Sequence, residues 1–196
     1  MRATKLLEIL HTAEALKDAT RHCYTSGGRR ESVAEHSWRL ALMALFLRDE
    51  FPEADMDRVI RMCLIHDLGE CFTGDIPTFL KTDGDRSREG ALLAQWVDTL
   101  PQPYREELTG LYAEMEARES VEAKIWKALD SMEAVIQHNE SDLSTWSENE
   151  YSLNLVHGFD KAAFSPCLTA LRQEVLRETE EKLRGRGAME AGPVHA

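Results

Sequence analysis

Apolar residues recur along this chain at intervals of three and four, the period of an amphipathic helix, and strand-like alternation is scarce. Leu6, Leu10, Ala13 and Leu16 predict a first helix. Val33, His36, Leu40, Met43 and Leu47 predict a second, and Ser32 followed three residues on by Glu35 fits a capping box at its start. Between them, Thr20 to Glu31 reads as a break marked by Ser26-Gly27-Gly28, a tripeptide suited to positive φ or a tight turn. A third helix is expected from a cap at Asp55 through Val59, Met62, Cys63 and His66, apolar nearly all round and therefore central. Gly69 and Gly74 disturb that pattern. Asp75-Ile76-Pro77-Thr78 reads as a shaped loop, because Pro77 fixes its own φ and restricts Ile76.

Further helices are expected from about Arg86 to Leu100, from near Pro103, and from a cap at Ser120 through Ile125, Leu129, Met132 and Ile136. The last starts at Ser165-Pro166, uses Leu168, Leu171, Val175 and Leu176, and is expected to stop at Gly185. The sequence thus predicts an all-α, single-domain protein over residues 1–185, with 186–196 as a disordered tail.

Charge narrows the partners. A formal net charge of -12 argues against a nucleic acid polymer, which is bound through a basic face, yet one small phosphorylated molecule needs only a few local cations. Arg21, Arg29 and Arg30 cluster in one short segment. Cys23, Cys63, Cys71 and Cys167 show no C-x-x-C pairing, so they read as reduced packing thiols. No uninterrupted apolar run approaches the roughly 18 residues needed to span a bilayer, and the start is not that of a secretory signal. The expectation is a cytoplasmic protein with no membrane partner.

The chemistry concentrates in His36, the adjacent pair His66-Asp67, and Asp130, carried on three predicted helices. Neighbouring helical residues project about 100° apart, so His66 and Asp67 can straddle one ion. Carboxylates on core-facing positions want a cation, because burying an unpaired one costs several kcal/mol. Two imidazoles and two carboxylates suit Mn, Fe, Co, Ni or Zn, with Mg also open, and four protein ligands leave octahedral positions for water and substrate. Each signal taken singly has a plainer reading: a hydrogen-bonded core histidine, a chance His-Asp dipeptide, an Asp130 paired with Lys127.

The stretch Ile65-His66-Asp67-Leu68-Gly69-Glu70-Cys71-Phe72-Thr73-Gly74-Asp75-Ile76-Pro77-Thr78, preceded by Val33-Ala34-Glu35-His36-Ser37, strongly resembles the HD-domain phosphohydrolases. Within them it looks closest to the YfbR-like 5′-deoxynucleotidases and related human HD-domain-containing proteins. The similarity continues through Glu122-Ala123-Lys124-Ile125-Trp126-Lys127-Ala128-Leu129-Asp130. It implies a helical bundle with a metal site between central helices, one divalent ion held by His36, His66, Asp67 and Asp130, and a homodimer. It also implies release of phosphate from deoxynucleoside 5′-monophosphates. Arg21 matches the family's phosphate-orienting arginine, Asp75, Ile76, Pro77 and Thr78 match its substrate loop, and His36, Asp67 and Asp130 border the bound nucleotide. The residue after the arginine, a sugar-recognising tryptophan in the bacterial enzyme, is His22 here, which leaves the choice between deoxyribose and ribose open.

From residue types, Arg21 can grip a phosphate with a planar fork of donors. Glu70, one turn beyond His66, is the expected general base or proton shuttle, against the plainer reading of an exposed acid at a helix end. Asp75 fits either a sugar hydroxyl or protonation of the leaving oxygen. Glu122, two turns before Asp130, fits a supporting contact, a pair with Arg21 or a surface salt bridge. No histidine occurs from Asp67 through Asp130, which favours one ion over two. The rival functions are hydrolysis of another phosphorylated small molecule or a nucleoside triphosphate, and nucleotide binding without turnover.

Overall fold

The structure, a computed structural model, describes the backbone of residues 1–190 and the side chains of residues 1–185. Ten α-helices among the described residues run in order: α1 (Ala3–Ala13), α2 (Val33–Phe46), α3 (Met56–Ile65), α4 (Glu70–Thr73), α5 (Asp83–Asp98), α6 (Tyr104–Ala117), α7 (Val121–Glu140), α8 (Glu150–Val156), α9 (Phe159–Ala162) and α10 (Pro166–Glu190). The break between α1 and α2 is a two-stranded hairpin, β1 (Thr20–Tyr24) and β2 (Arg30–Ser32). Strands of five and three residues carry too little alternation to register against the helical pattern. Gly28, at φ 81°, supplies the left-handed residue of the turn. No helix among the described residues is long and apolar enough to cross a membrane.

Internal packing divides the chain into two compact units, residues 1–22 with 30–127, and residues 23–29 with those from 128 onward. In the first unit, α2 packs along α3, and Leu40, Ala44, Val59, Met62 and Cys63 are wholly buried. The capping box is formed as expected. The Glu35 amide donates to Ser32 Oγ at 3.3 Å, and the Ser32 amide donates to the Glu35 carboxylate at 2.9 Å. Asp55 caps α3 by accepting from the Arg58 amide at 2.9 Å, and Ser120 accepts from the Ala123 amide at 3.1 Å at the start of α7.

Several elements depart from the expectation. Helix α1 buries none of its residues, so the Leu6 and Leu10 stripe is exposed and only Leu16, in the following 3-10 turn, reaches the core. Helix α3 is two-faced rather than apolar all round, because Asp57, Arg61 and Leu64 are exposed. Helix α5 starts at Asp83, three residues before the expected point. Thr82 caps it with Asp85 in a second capping box that the Thr-x-x-Asp spacing encodes.

In the second unit, α10 continues to Glu190, past Gly185. Gly185 and Gly187 each cost about 1 kcal/mol against alanine, too little to end a helix of this length. Of the expected tail, residues 191–196 lie outside the described residues. Helix α10 buries Leu168, Arg172, Val175 and Thr179 at helical spacing. Arg172, with no exposure, donates from Nε to the His157 carbonyl at 2.7 Å and from Nη2 to the Asn154 carbonyl at 2.8 Å. Its guanidinium also lies 4.3 Å from the Phe159 ring centroid. A cation on the last carbonyls of α8 opposes the negative end of that helix.

Candidate metal centre

The capping box sets the first turn of α2 and with it His36, whose side chain is 1% exposed. His66 is the residue that ends α3. Its φ of -57° and ψ of -36° remain helical, so the angular offset expected between His66 and Asp67 begins from helical geometry. The chain then turns, with the Glu70 amide donating to the Asp67 carbonyl at 2.9 Å, and α4 begins at Glu70.

These elements bring three donor atoms together. The Nε2 atoms of His36 and His66 are 3.2 Å apart, and Asp67 Oδ2 is 3.0 Å from His66 Nε2 and 3.8 Å from His36 Nε2. His66 Nδ1 lies 2.9 Å from the Cys63 carbonyl oxygen, which can only accept. The Cys63 carbonyl therefore takes a proton from Nδ1, and in the neutral ring Nε2 presents a lone pair to the cluster, as metal binding through Nε2 requires. A proton on His36 would satisfy one of the three contacts; a cation satisfies all three. Adjacent donors on an octahedral ion with bonds of about 2.1 Å stand about 3.0 Å apart, so the 3.0 and 3.2 Å separations fit a shared divalent ion and the 3.8 Å separation is wider than that spacing.

Surrounding groups brace this cluster. The Tyr112 hydroxyl donates to the Ile65 carbonyl at 2.8 Å, immediately before His66. The Trp126 ring meets His66 edge-on at 5.8 Å between centroids. A cavity of about 420 Å³ adjoins His66 and is lined by Leu93, Val97, Tyr112, Met115 and Trp126 among others; Arg21, Glu70 and Asp75 do not line it.

Glu70 is 6% exposed, so the reading of an exposed acid is set aside. Its Oε2 is buried with no hydrogen-bond partner, and Oε1 lies 3.8 Å from Lys81 Nζ. Burial, then the negative charges of Asp67 and Asp75, push its carboxyl up to about 9, with Lys81 opposing. Asp75 is raised as well, first by burial and then by Asp67, while Arg21, His22 and Lys81 pull it down. Arg21 is on β1 rather than in a loop, and its Nη1 is 3.3 Å from Glu31 Oε2. Glu31, buried at the start of the capping turn, also lies 3.9 Å from Arg39 Nη2. The His22 ring meets Phe79 edge-on at 5.5 Å, beside the loop of Asp75, Ile76, Pro77 and Thr78.

Glu122 lies in the first turn of α7. Its Oε1 accepts from the Asp55 amide at 2.9 Å, tying the start of α7 to the start of α3. Asp130 is half-buried in the middle of α7, in the second unit. Residues missed by the sequence reading are Glu31, Phe79, Lys81, Glu89 and Tyr112. None has a spacing that marks it; only the position of Lys81, just past the substrate-loop motif, was a usable signal.

A family profile described as HD domain matches residues 13–172, most of the chain. The chain belongs to the HD domain family. Among curated HD-domain relatives, the human 5'-deoxynucleotidase HDDC2 is 35% identical over 142 residues, 70% of this chain and 69% of its own length. The fission yeast 5'-deoxynucleotidase hdd1 is 27% identical over 81% of this chain and 90% of its own. A solved structure from Magnetospirillum magnetotacticum, described as a predicted metal-dependent phosphohydrolase, superposes with a TM-score of 0.75 at 28% identity. It covers 92% of this chain and 94% of that one. The His66-Asp67 pair, with its donor atoms 3.0 Å apart, lies within the matched residues.

Proposed function

We propose that this HD-domain chain is a metal-dependent phosphomonoester hydrolase acting on deoxynucleoside 5′-monophosphates. The observation carrying the proposal is the convergence of His36 Nε2, His66 Nε2 and Asp67 Oδ2, with the His66 lone pair fixed by the Cys63 carbonyl. Relatives named 5'-deoxynucleotidase support the choice of substrate. Asp130 is assigned as the fourth ligand on residue type and its match to the last family motif. The resemblance also carries a homodimer and a cytoplasmic location into this proposal.

A divalent ion held by these residues would supply Lewis acidity to a phosphoryl oxygen and acidify its water. In this scheme the chain's own groups do the rest. Arg21 grips the phosphate oxygens with its guanidinium, and Glu31, fixed beside the Ser32 cap, holds the fork in place. With the charge of Asp67 offset by the ion, Glu70 would ionise and accept the proton of the attacking water on Oε2, which has no hydrogen-bond partner. Asp75, held closer to its protonated form by burial and in the fields of Arg21 and His22, would either hydrogen-bond a sugar hydroxyl or protonate the leaving oxygen. His22 and Phe79 form an aromatic pair at the sugar-binding loop in place of a tryptophan.

Phosphate release from a panel of ribo- and deoxyribonucleoside monophosphates, with Mn²⁺ or Co²⁺, tests the proposal. Release from the monophosphates, abolished by a chelator and restored by metal, is the expected outcome. Nucleotide binding with bound metal but no phosphate release would overturn it in favour of a non-catalytic binding protein. Preference for triphosphates would replace the substrate class while keeping the metal chemistry.

A further inference from the structure

The cluster on the far side of Glu70 is not accounted for by metal binding or by the substrate loop. Lys81 Nζ is 2.6 Å from Glu89 Oε2 and 3.8 Å from Glu70 Oε1, and its side chain is 12% exposed. Glu89, on α5, also accepts from the Thr73 hydroxyl at 3.4 Å. It packs so closely on the turn after Asp67 that a Cβ at Gly69 would stand 2.8 Å from Glu89 Cγ. Gly69 therefore lets α5 place a carboxylate directly against this turn. That carboxylate fixes an ammonium beside one oxygen of Glu70 and leaves the other, buried oxygen without a hydrogen-bond partner.

We propose that Lys81, anchored by Glu89 over Gly69, is a positioning residue that holds Glu70 by Oε1 and keeps Oε2 presented to the attacking water. This rests on the hydrolase reading above and on the role given there to Glu70. A partly buried ion pair at the protein edge would stabilise the fold without this asymmetry. Here the two oxygens of one carboxylate have different surroundings, and only one meets a cation. Positioning groups of this kind typically contribute about 10- to 100-fold when removed.

The test is a double-mutant cycle on the full-length, metal-loaded protein, with a deoxynucleoside monophosphate as substrate. Lys81→Met should lower kcat about 10- to 100-fold, leaving KM and bound metal per chain near wild type. Lys81→Arg should recover most of that loss, and Glu89→Gln should show a smaller loss in the same direction. In a Glu70→Gln background, adding Lys81→Met should change kcat by less than about twofold, because the group it positions is already gone. An undiminished Lys81→Met effect in that background, or a loss seen only in KM, metal content or melting temperature, overturns the proposal. Full activity of Glu70→Gln alone would instead refute the base assignment. Should wild type release no phosphate, the hydrolase reading falls, and the Glu70 rotamer in a crystal structure of Lys81→Met decides the positional claim: an unmoved carboxylate refutes it.

Discussion

Removing the ionisable proton of Glu70 should change how the stability of the metal-free protein depends on pH. The folded-state carboxyl is raised to about 9 from an ordinary value of 4.5, first by burial and then by Asp67 and Asp75. Below the ordinary value both folded and unfolded chains hold this proton, and its contribution to stability is fully present. As pH rises toward 9, the unfolded chain has released the proton and the folded chain still keeps it, so stability falls. One proton gives a slope of at most about 1.4 kcal/mol per pH unit, or about 2.7 kcal/mol between pH 5.5 and 7.5. With a urea m-value of about 2 kcal/mol/M, that is a shift in midpoint of about 1.4 M. Urea unfolding of chelator-treated wild type and Glu70→Gln across this range reads the effect of Glu70 and its coupled neighbours, because titrating groups that do not interact with Glu70 cancel in the difference. The wild-type midpoint should drop relative to the variant as pH rises. A divalent ion should flatten the difference by neutralising Asp67. Parallel pH profiles for the two metal-free proteins would refute the buried-carboxyl reasoning.

Asp67→Ala should reduce bound metal well below one ion per chain and abolish phosphate release; elemental analysis beside the activity assay checks both. Asp75→Asn should slow nucleotide hydrolysis but spare p-nitrophenyl phosphate, whose leaving group needs no proton, if Asp75 protonates the leaving oxygen; equal losses on both substrates would exclude that role. Arg172→Met should destabilise the protein by about 2–4 kcal/mol in urea unfolding, since it strips one buried and one half-buried carbonyl of their donor. Ser32→Ala should cost about 1 kcal/mol and loosen the first turn of α2, measurable as lower metal affinity at His36.

What was legible in the sequence was what is encoded locally. Ser32 with Glu35, Asp55, Ser120 and Ser165-Pro166 each announce a helix start through hydrogen bonds that span three or four residues. His66-Asp67 is a contiguous motif, and the helical period places His36 on a buried face without any tertiary information. The hairpin escaped because its strands are too short to show a period. Lys81, Glu89 and Gly69 escaped because their relation is purely tertiary: α5 must lie against the turn after Asp67 before any of the three has a role. The misjudged elements, exposed α1 and two-faced α3, show the same limit, since periodicity reveals a stripe but not whether anything covers it.

The edge-on contact of Trp126 with His66 gives the protein an intrinsic optical probe of its own chemistry. Trp126 is buried, whereas Trp38 is largely exposed, so their emission should separate by wavelength. A paramagnetic ion such as Co²⁺ bound through His66 would quench the Trp126 share of the blue emission and spare that of buried Trp146, while closed-shell Zn²⁺ or Mg²⁺ would leave both bright. A Trp126→Phe variant would supply the blank. Ion occupancy, and the electronic class of the ion, could thus be followed by fluorescence without any added label.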